Sequence, residues 1–106
     1  MAAAVSYCEQ MVAAAGEAFG VEGIRLTGYL RRAASILATA DQDARAMETL
    51  TRAVAINDRY GAETGEAVND LRELAGLQQR NGLHGEAREN LDRARDIEAR
   101  HSEASR

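Results

Sequence analysis

Apolar residues recur every three to four positions along most of the chain, which is the period of a helix that buries one face. This pattern predicts helices over residues 2–19, about 22–39, about 42–59, about 64–80 and about 84–101. The connections between them are only a few residues long, so neighbouring helices should run antiparallel. The chain is therefore predicted to be all-α, with about five helices.

The predicted core of these helices is aliphatic, and many of its side chains are small. Alanine at 46, 53, 87 and 94 would let two helix axes approach closely. The predicted core positions are Leu26, Leu30, Ala33, Ala34, Leu37, Ala46, Leu50, Ala53, Val54, Ile56, Val68, Leu71, Leu74, Ala75, Leu77, Ala87, Leu91, Ala94 and Ile97.

Polar residues and glycines mark the predicted helix ends. Asp41 is expected to be an N-cap, because its carboxylate can accept hydrogen bonds from the first free amides of the next helix. Gly61 and the pair Asn81–Gly82 follow apolar segments and tolerate the left-handed backbone that ends many helices.

An internal repeat organises the chain. Residues 20–59 placed on 61–100, a shift of 41, give 12 identities in 40 positions. Chance would match roughly a tenth of the positions in a chain so rich in alanine and arginine. Two of the identical pairs are Arg31 with Arg72 and Ile56 with Ile97.

The repeat divides a single domain of residues 1–106 into parts. Residues 20–60 and 61–101 are two full units of two helices each, and 102–106 form a tail. The helix over 2–19 aligns with the second helix of a unit at a shift of 42, which makes it a half unit.

The repeat resembles the tetratricopeptide repeat (TPR) family, in which each unit is a helical hairpin. The resemblance is carried by a leucine, a Leu–Ala pair, a turn glycine and an Ala–bulky–Ala pattern in the second helix. In the second unit these are Leu71, Leu74, Ala75, Gly82, Ala87, Leu91 and Ala94. The period of 41 is similar to that of the longer-helix variants in kinesin light chains and bacterial regulators. Asp41 stands where the first unit should have its turn glycine.

The resemblance implies a right-handed solenoid of stacked hairpins that binds a partner peptide or helix without catalysis. Family members hold such partners in a concave groove lined by the first helix of each unit. The corresponding residues here are Arg31, Ser35, Asn69, Arg72, Gly76, Gln79 and Arg80. Arg31 and Arg72 are expected to lie side by side as anchors for carboxylates of the partner. The other reading of the pair is two solvated arginines.

The N-terminal helix suggests a second function. Its apolar residues surround much of the helix, whereas a terminal repeat should be polar outside. It could therefore mediate self-association within a larger bacterial regulatory protein, through Val5, Met11, Val12 and Phe19. Packing within the chain is the alternative explanation. A small-molecule sensor is a third function, but one Phe and three Tyr supply few aromatic contacts for it.

Composition narrows the remaining classes. The net charge is −4 and no basic block occurs, which disfavours nucleic-acid binding. No apolar segment is long enough to cross a bilayer as a helix, so no membrane span is predicted. A single cysteine, Cys8, and the lack of a basic leader favour a cytoplasmic protein. His84 and His101 are far apart in sequence, and no nucleophile has a histidine at a suitable spacing. We therefore expect no enzyme, metal site or cofactor, and a packing role for His101.

Overall fold

The computed structural model describes residues 2–20 and 23–104, and within them five α-helices follow one another without any strand. They are α1 (Ala2–Phe19), α2 (Leu26–Thr39), α3 (Asp43–Arg59), α4 (Gly65–Arg80) and α5 (His84–Ala104). The all-α class and the number of helices are confirmed. The predicted start of the second helix near residue 22 lies outside the described residues, and α2 begins at Leu26 after a turn.

Each helix packs mainly against its neighbours in the sequence. The most extensive contacts are within the hairpins α2–α3 and α4–α5, while α1 packs on α2 and α4 packs on α3. The Cα atoms span 47 × 34 × 17 Å, so the helices form a layer that is thin in one direction. The core of this thin layer therefore lies close to its solvent-exposed faces.

The aliphatic stripes predicted from the sequence form the core. All of the predicted core residues except Leu91 are buried. The alanines at 46, 53, 87 and 94 are each 0% exposed, as expected of residues at close contacts between helices. Leu91 is only partly buried, because it lies at the outer side of α5 beside a shallow depression.

Three helices end in the same hydrogen-bonded turn. After α2, the amide of Gln42 donates to the Leu37 carbonyl at 2.8 Å and that of Asp41 donates to Ala38 at 3.1 Å. The same pair of bonds recurs one repeat later, from Leu83 to Gln78 and from Gly82 to Gln79, and again after α3 at Gly61. In this turn the residue after the C-cap adopts a left-handed conformation.

The prediction that Asp41 caps the next helix is wrong. Asp41 has a φ of 60° and occupies the left-handed position that Gly82 fills in the second unit with a φ of 82°. The N-cap of α3 is Gln42, whose side chain makes no capping bond. The sequence reasoning also missed a real cap, Thr64, whose hydroxyl accepts a hydrogen bond from the Ala67 amide at 3.1 Å.

We predict that Asp41→Gly stabilises the fold by roughly 0.5–1 kcal/mol, because glycine adopts the left-handed conformation without steric cost. The reciprocal Gly82→Asp should destabilise it by a similar amount. Urea unfolding followed by circular dichroism measures both free energies. A loss of stability in Asp41→Gly would show that the aspartate side chain contributes more than its backbone strain costs.

Candidate partner-binding site

A buried polar cluster joins the two hairpins. Asp70 of α4 is 0% exposed, and its carboxylate accepts hydrogen bonds from three nitrogens. Arg31 of α2 donates through Nε at 2.6 Å and through a terminal nitrogen at 2.9 Å. Asn57 of α3 donates through Nδ2 at 2.9 Å. The carboxylate of one unit is therefore held by one residue from each helix of the preceding unit.

The buried Asp70 carboxylate affects the pKa values of two neighbouring groups in the cluster. The hydrogen bonds from Arg31 to Asp70 raise the pKa of the guanidinium, against the opposing effect of burial. Partial burial raises the pKa of the nearby Glu73 carboxyl, and the negative charge of Asp70 acts in the same direction. Every described buried side-chain nitrogen or oxygen has a hydrogen-bond partner, so the cluster is complete within the chain.

The structure changes the interpretation of the two arginines predicted to anchor a partner. The Arg31 side chain is only 22% exposed and is committed to Asp70, with Glu66 at 3.9 Å. Arg72 is more exposed and pairs with Glu98 of α5. Each arginine thus faces a carboxylate of its own chain. The role of the two as anchors for a ligand stays a prediction, and the accessible member of the pair is Arg72.

The other predicted groove residues lie in different places. Asn69 lies beside Arg72 at one depression. Gln79 borders a different depression formed with α5, and Arg80 reaches the start of α3, where it donates to both oxygens of Asp43 at 2.9 and 2.6 Å. Ser35 is exposed on α2. The structure therefore brings Asn69 and Arg72 together but does not gather Gln79 and Arg80 with them.

The residues predicted for self-association are divided between the core and the surface. Val5, Met11 and Val12 are partly buried against the main hydrophobic cluster, and Phe19 packs against a smaller one. Phe19 also stacks on Tyr29 of α2 with ring centroids 5.7 Å apart. Packing within the chain accounts for much of their apolar surface, and their role in self-association stays a prediction.

An apolar cleft runs between α1 and α3. Its volume is about 490 Å³, and it is open to solvent rather than enclosed. Val5, Cys8, Val12 and Gly16 line it along α1, a distance of about 16 Å at the helical rise per residue. Leu30, Ala33 and Leu37 of α2 form the floor, and Arg45, Glu48, Thr49 and Arg52 of α3 form the far wall. We call this cleft the α1–α3 groove.

The second unit fills the corresponding space with its own side chains. Leu37 is replaced there by Gln78, which donates to Glu86 at 3.3 Å and accepts from Asn90 at 2.9 Å. Ala33 is replaced by the larger Leu74, and Cys8 corresponds to Leu50 at the shift of 42. The α1–α3 groove is therefore open because the first unit carries smaller and less polar residues at matched positions.

A salt bridge marks the same difference between the units. Arg93 of α5 reaches Asp58 of α3 at 2.5 Å and so links the second helices of the two units. Arg52 is the counterpart of Arg93, but at the shift of 42 the counterpart of Asp58 is Gly16. Arg52 and Gly16 both line the groove. The Arg93–Asp58 pair thus has no counterpart at Gly16, and the first unit instead pairs Arg45 of α3 with Glu9 of α1 at 3.5 Å.

Reactive chemistry or metal binding would require suitable side chains in the groove or among the rest of the described residues. Cys8 is its one thiol; it is 3% exposed, and its Sγ–H points at the Ala33 carbonyl at 3.6 Å. Burial raises the pKa of this thiol, which disfavours the nucleophilic thiolate at neutral pH. Within 2–20 and 23–104, no three His, Cys, Asp or Glu side chains are arranged to hold a metal ion.

Two further predictions concern the surface. Among the described helices, none combines the length and apolar character needed to cross a bilayer. His101 was expected to pack, but its side chain is 57% exposed and its Nε2 lies 3.3 Å from a carboxylate oxygen of Glu63.

Sequence reasoning missed Asp70, although a signal was present. Asp70 precedes Leu71 and lies four residues before Leu74, so it falls on the apolar face of α4. A carboxylate on a buried face requires a partner that neutralises it. The arginine one unit earlier was visible, but the pairing depends on the relative placement of α2 and α4, which periodicity does not give.

We predict that Arg31→Ala destabilises the fold by about 2–4 kcal/mol, because it leaves a buried carboxylate with one neutral donor. The matched control is Arg93→Ala, which removes a surface pair and should cost at most about 1 kcal/mol. Chemical denaturation of the two variants and the wild type measures the difference. Equal losses in both variants would mean that the Asp70 carboxylate is not buried as described.

A comparison with protein-family models finds no match to this chain, and a search of curated proteins finds no significant match either. The resemblance to tetratricopeptide repeats therefore stays a prediction that rests on the internal repeat of the chain itself.

Proposed function

We propose that this protein is a non-enzymatic protein-interaction module that binds an amphipathic helix of a partner in the α1–α3 groove. We further propose that its five helices form a right-handed solenoid of the tetratricopeptide type. The sequential packing of the helices and the identical turns one repeat apart support the solenoid. The observation that carries the function is the apolar groove left open by small residues in the first unit.

The shape of the groove favours a helix as the occupant. It is open along about three turns of α1, whereas a site for a small ligand normally encloses most of the ligand surface. Side chains spaced at i, i+3 or i+4 and i+7 on one face of a helix would enter such a cleft in succession. The floor consists of Leu30, Ala33 and Leu37 of α2, which are apolar and at most 4% exposed. The apolar contacts of a bound helix would therefore come mainly from the partly buried Val5 and Val12 of α1.

The rim of the groove supplies polar contacts of both signs. Glu9 and Arg45 lie 3.5 Å apart across one part of it, and Glu48 and Arg52 belong to the α3 wall. A partner helix with an apolar stripe flanked by one acidic and one basic side chain would complement this rim. Such charges affect the orientation and the partner specificity more than the total affinity.

We predict that Ala33→Leu and Cys8→Leu each weaken binding of a helical partner by about tenfold or more, because the added methyl groups occupy the groove. Leucine is chosen because it is the residue one repeat later at both positions, although Cys8 and Ala33 are themselves buried. Ala55→Leu, an exposed position outside the groove, is the matched control. Amphipathic helices selected against the wild type from a display library serve as ligands, and titration calorimetry measures their affinity.

The proposal would be contradicted if the selected helices bound both groove-filled variants as tightly as the wild type and the Ala55→Leu control. Circular dichroism and thermal unfolding verify that the variants fold. The result depends on the shape of the groove alone and needs no assumption about which protein is the natural partner.

Self-association through α1 is the alternative occupant of the same groove. Tyr7 on α1 is 56% exposed, and Val5 and Val12 border the cleft, so α1 of a second copy could contribute the apolar side chains. Sedimentation velocity over a wide concentration range distinguishes the two occupants. A dimer of the wild type that Ala33→Leu dissociates would assign the groove to a second copy.

A further inference from the structure

The two hairpins expose equivalent faces, and only one of them is covered in the part of the chain that the structure describes. The face formed by α2 and α3 carries α4, through the contacts of Arg31 and Asn57 with Asp70. Arg72 and Glu98 stand one repeat after Arg31 and Asn57, so they occupy the matching places on α4 and α5. No further helix among the described residues covers this second face.

The uncovered face contains a depression of about 710 Å³. Arg72, Glu98 and His101 lie around it, and its apolar lining is Val68 and Ile97, which are 5% and 8% exposed. Val68 and Ile97 correspond to Thr27 and Ile56 of the first hairpin. We call this surface the α4–α5 end face; it is separate from the α1–α3 groove.

The occupied face shows how the arginine at this place can be used. Arg31 donates two hydrogen bonds to Asp70 of α4, and Asn57 donates a third to the same carboxylate. The α2–α3 face is therefore a site for a helix that carries an acid, because both of these side chains offer that acid a donor.

The end face differs from it at one decisive position. Glu98 stands where the first hairpin has Asn57, and its carboxylate already accepts a hydrogen bond from Arg72. An incoming carboxylate would meet a like charge there, which disfavours it. A side chain that donates, such as an amide, could instead bond to a remaining lone pair of Glu98 without displacing the Arg72 pair.

We propose that the α4–α5 end face binds an amphipathic helix of a partner chain in the way that the first hairpin binds α4. Glu98 makes this site select a hydrogen-bond donor at the place where α4 carries Asp70. The site differs from the α2–α3 face in that it selects a donor where the first hairpin selects an acceptor. It is a second interaction surface, independent of the groove, in which Arg72 holds the Glu98 carboxylate in place.

The α4 segment itself supplies the probe peptides. One peptide has the sequence of residues 64–81, and the other differs only by Asp70→Asn; both carry a fluorescent label. They are titrated with the full-length wild type, with Glu98→Asn, and with Glu89→Asn as a control for the same change elsewhere on α5. Fluorescence anisotropy gives the affinities, and amide chemical shifts locate the bound peptide.

We expect the wild type and Glu89→Asn to bind the Asp70→Asn peptide about tenfold tighter than the unmodified peptide. Glu98→Asn recreates the donors of the first hairpin, so it should reverse this preference. Shift changes should cluster at Val68 and Ile97. Glu98 is an exposed residue, so its substitution should leave the fold intact, which circular dichroism verifies.

Three results would overturn the proposal. The first is that neither peptide binds the wild type at millimolar concentration. The second is an unchanged preference in Glu98→Asn. The third is a set of shift changes on α2 and α3, which would mean that the peptide displaces the α4 of the protein. Failure of this proposal would not affect the proposal for the α1–α3 groove, since neither Glu98 nor Glu89 lines that groove.

Discussion

The burial of the Asp70 carboxylate between three helices is the constraint on which the relation of the two hairpins depends. A charge removed from water requires compensation in place, and the nitrogens of Arg31 and Asn57 provide it. Apolar contacts alone are tolerant of small slides between helices, whereas three hydrogen bonds to one carboxylate fix the position of α4 on α2 and α3. These hydrogen bonds therefore determine where α4 lies along α2 and α3 more than they determine the total stability of the fold.

A comparison of the two units identifies the two surfaces proposed to bind partners. The equivalence of the units allows each position in one hairpin to be compared with its counterpart in the other. At the positions that correspond to the lining of the α1–α3 groove, the second unit carries the hydrogen-bonded pair Gln78 and Asn90. Where the first hairpin holds an acid through Asn57, the second presents Glu98. Each surface is thus a place where the two repeats differ, and it is identified by comparing matched positions in the repeats.

The sequence predicted much of the fold, since periodicity reports burial directly. Helix bounds agree closely, and of the predicted core only Leu91 is not buried, because no described helix covers that part of α5. Asp41 was misplaced because an aspartate suits both an N-cap and a left-handed turn, and the chain geometry decides between them. The site was less predictable. In the sequence, Arg31 resembles an exposed cation on an amphipathic helix, and only the tertiary structure shows that α4 places Asp70 against it. The groove was not predictable because it depends on the side-chain volumes of α1, α2 and α3 together.

The central claim is that Asp70 couples the α4–α5 hairpin to the helices before it. Native-state hydrogen exchange, resolved by amide, tests this most directly when the wild type is compared with Asp70→Ala. In the wild type, the amides of α3 and α4 should open together with the highest protection. In the variant, α4 and α5 should lose more protection than α2 and α3, because the interface that joins the hairpins is weakened. An equal loss in all four helices, or no loss, would contradict the account.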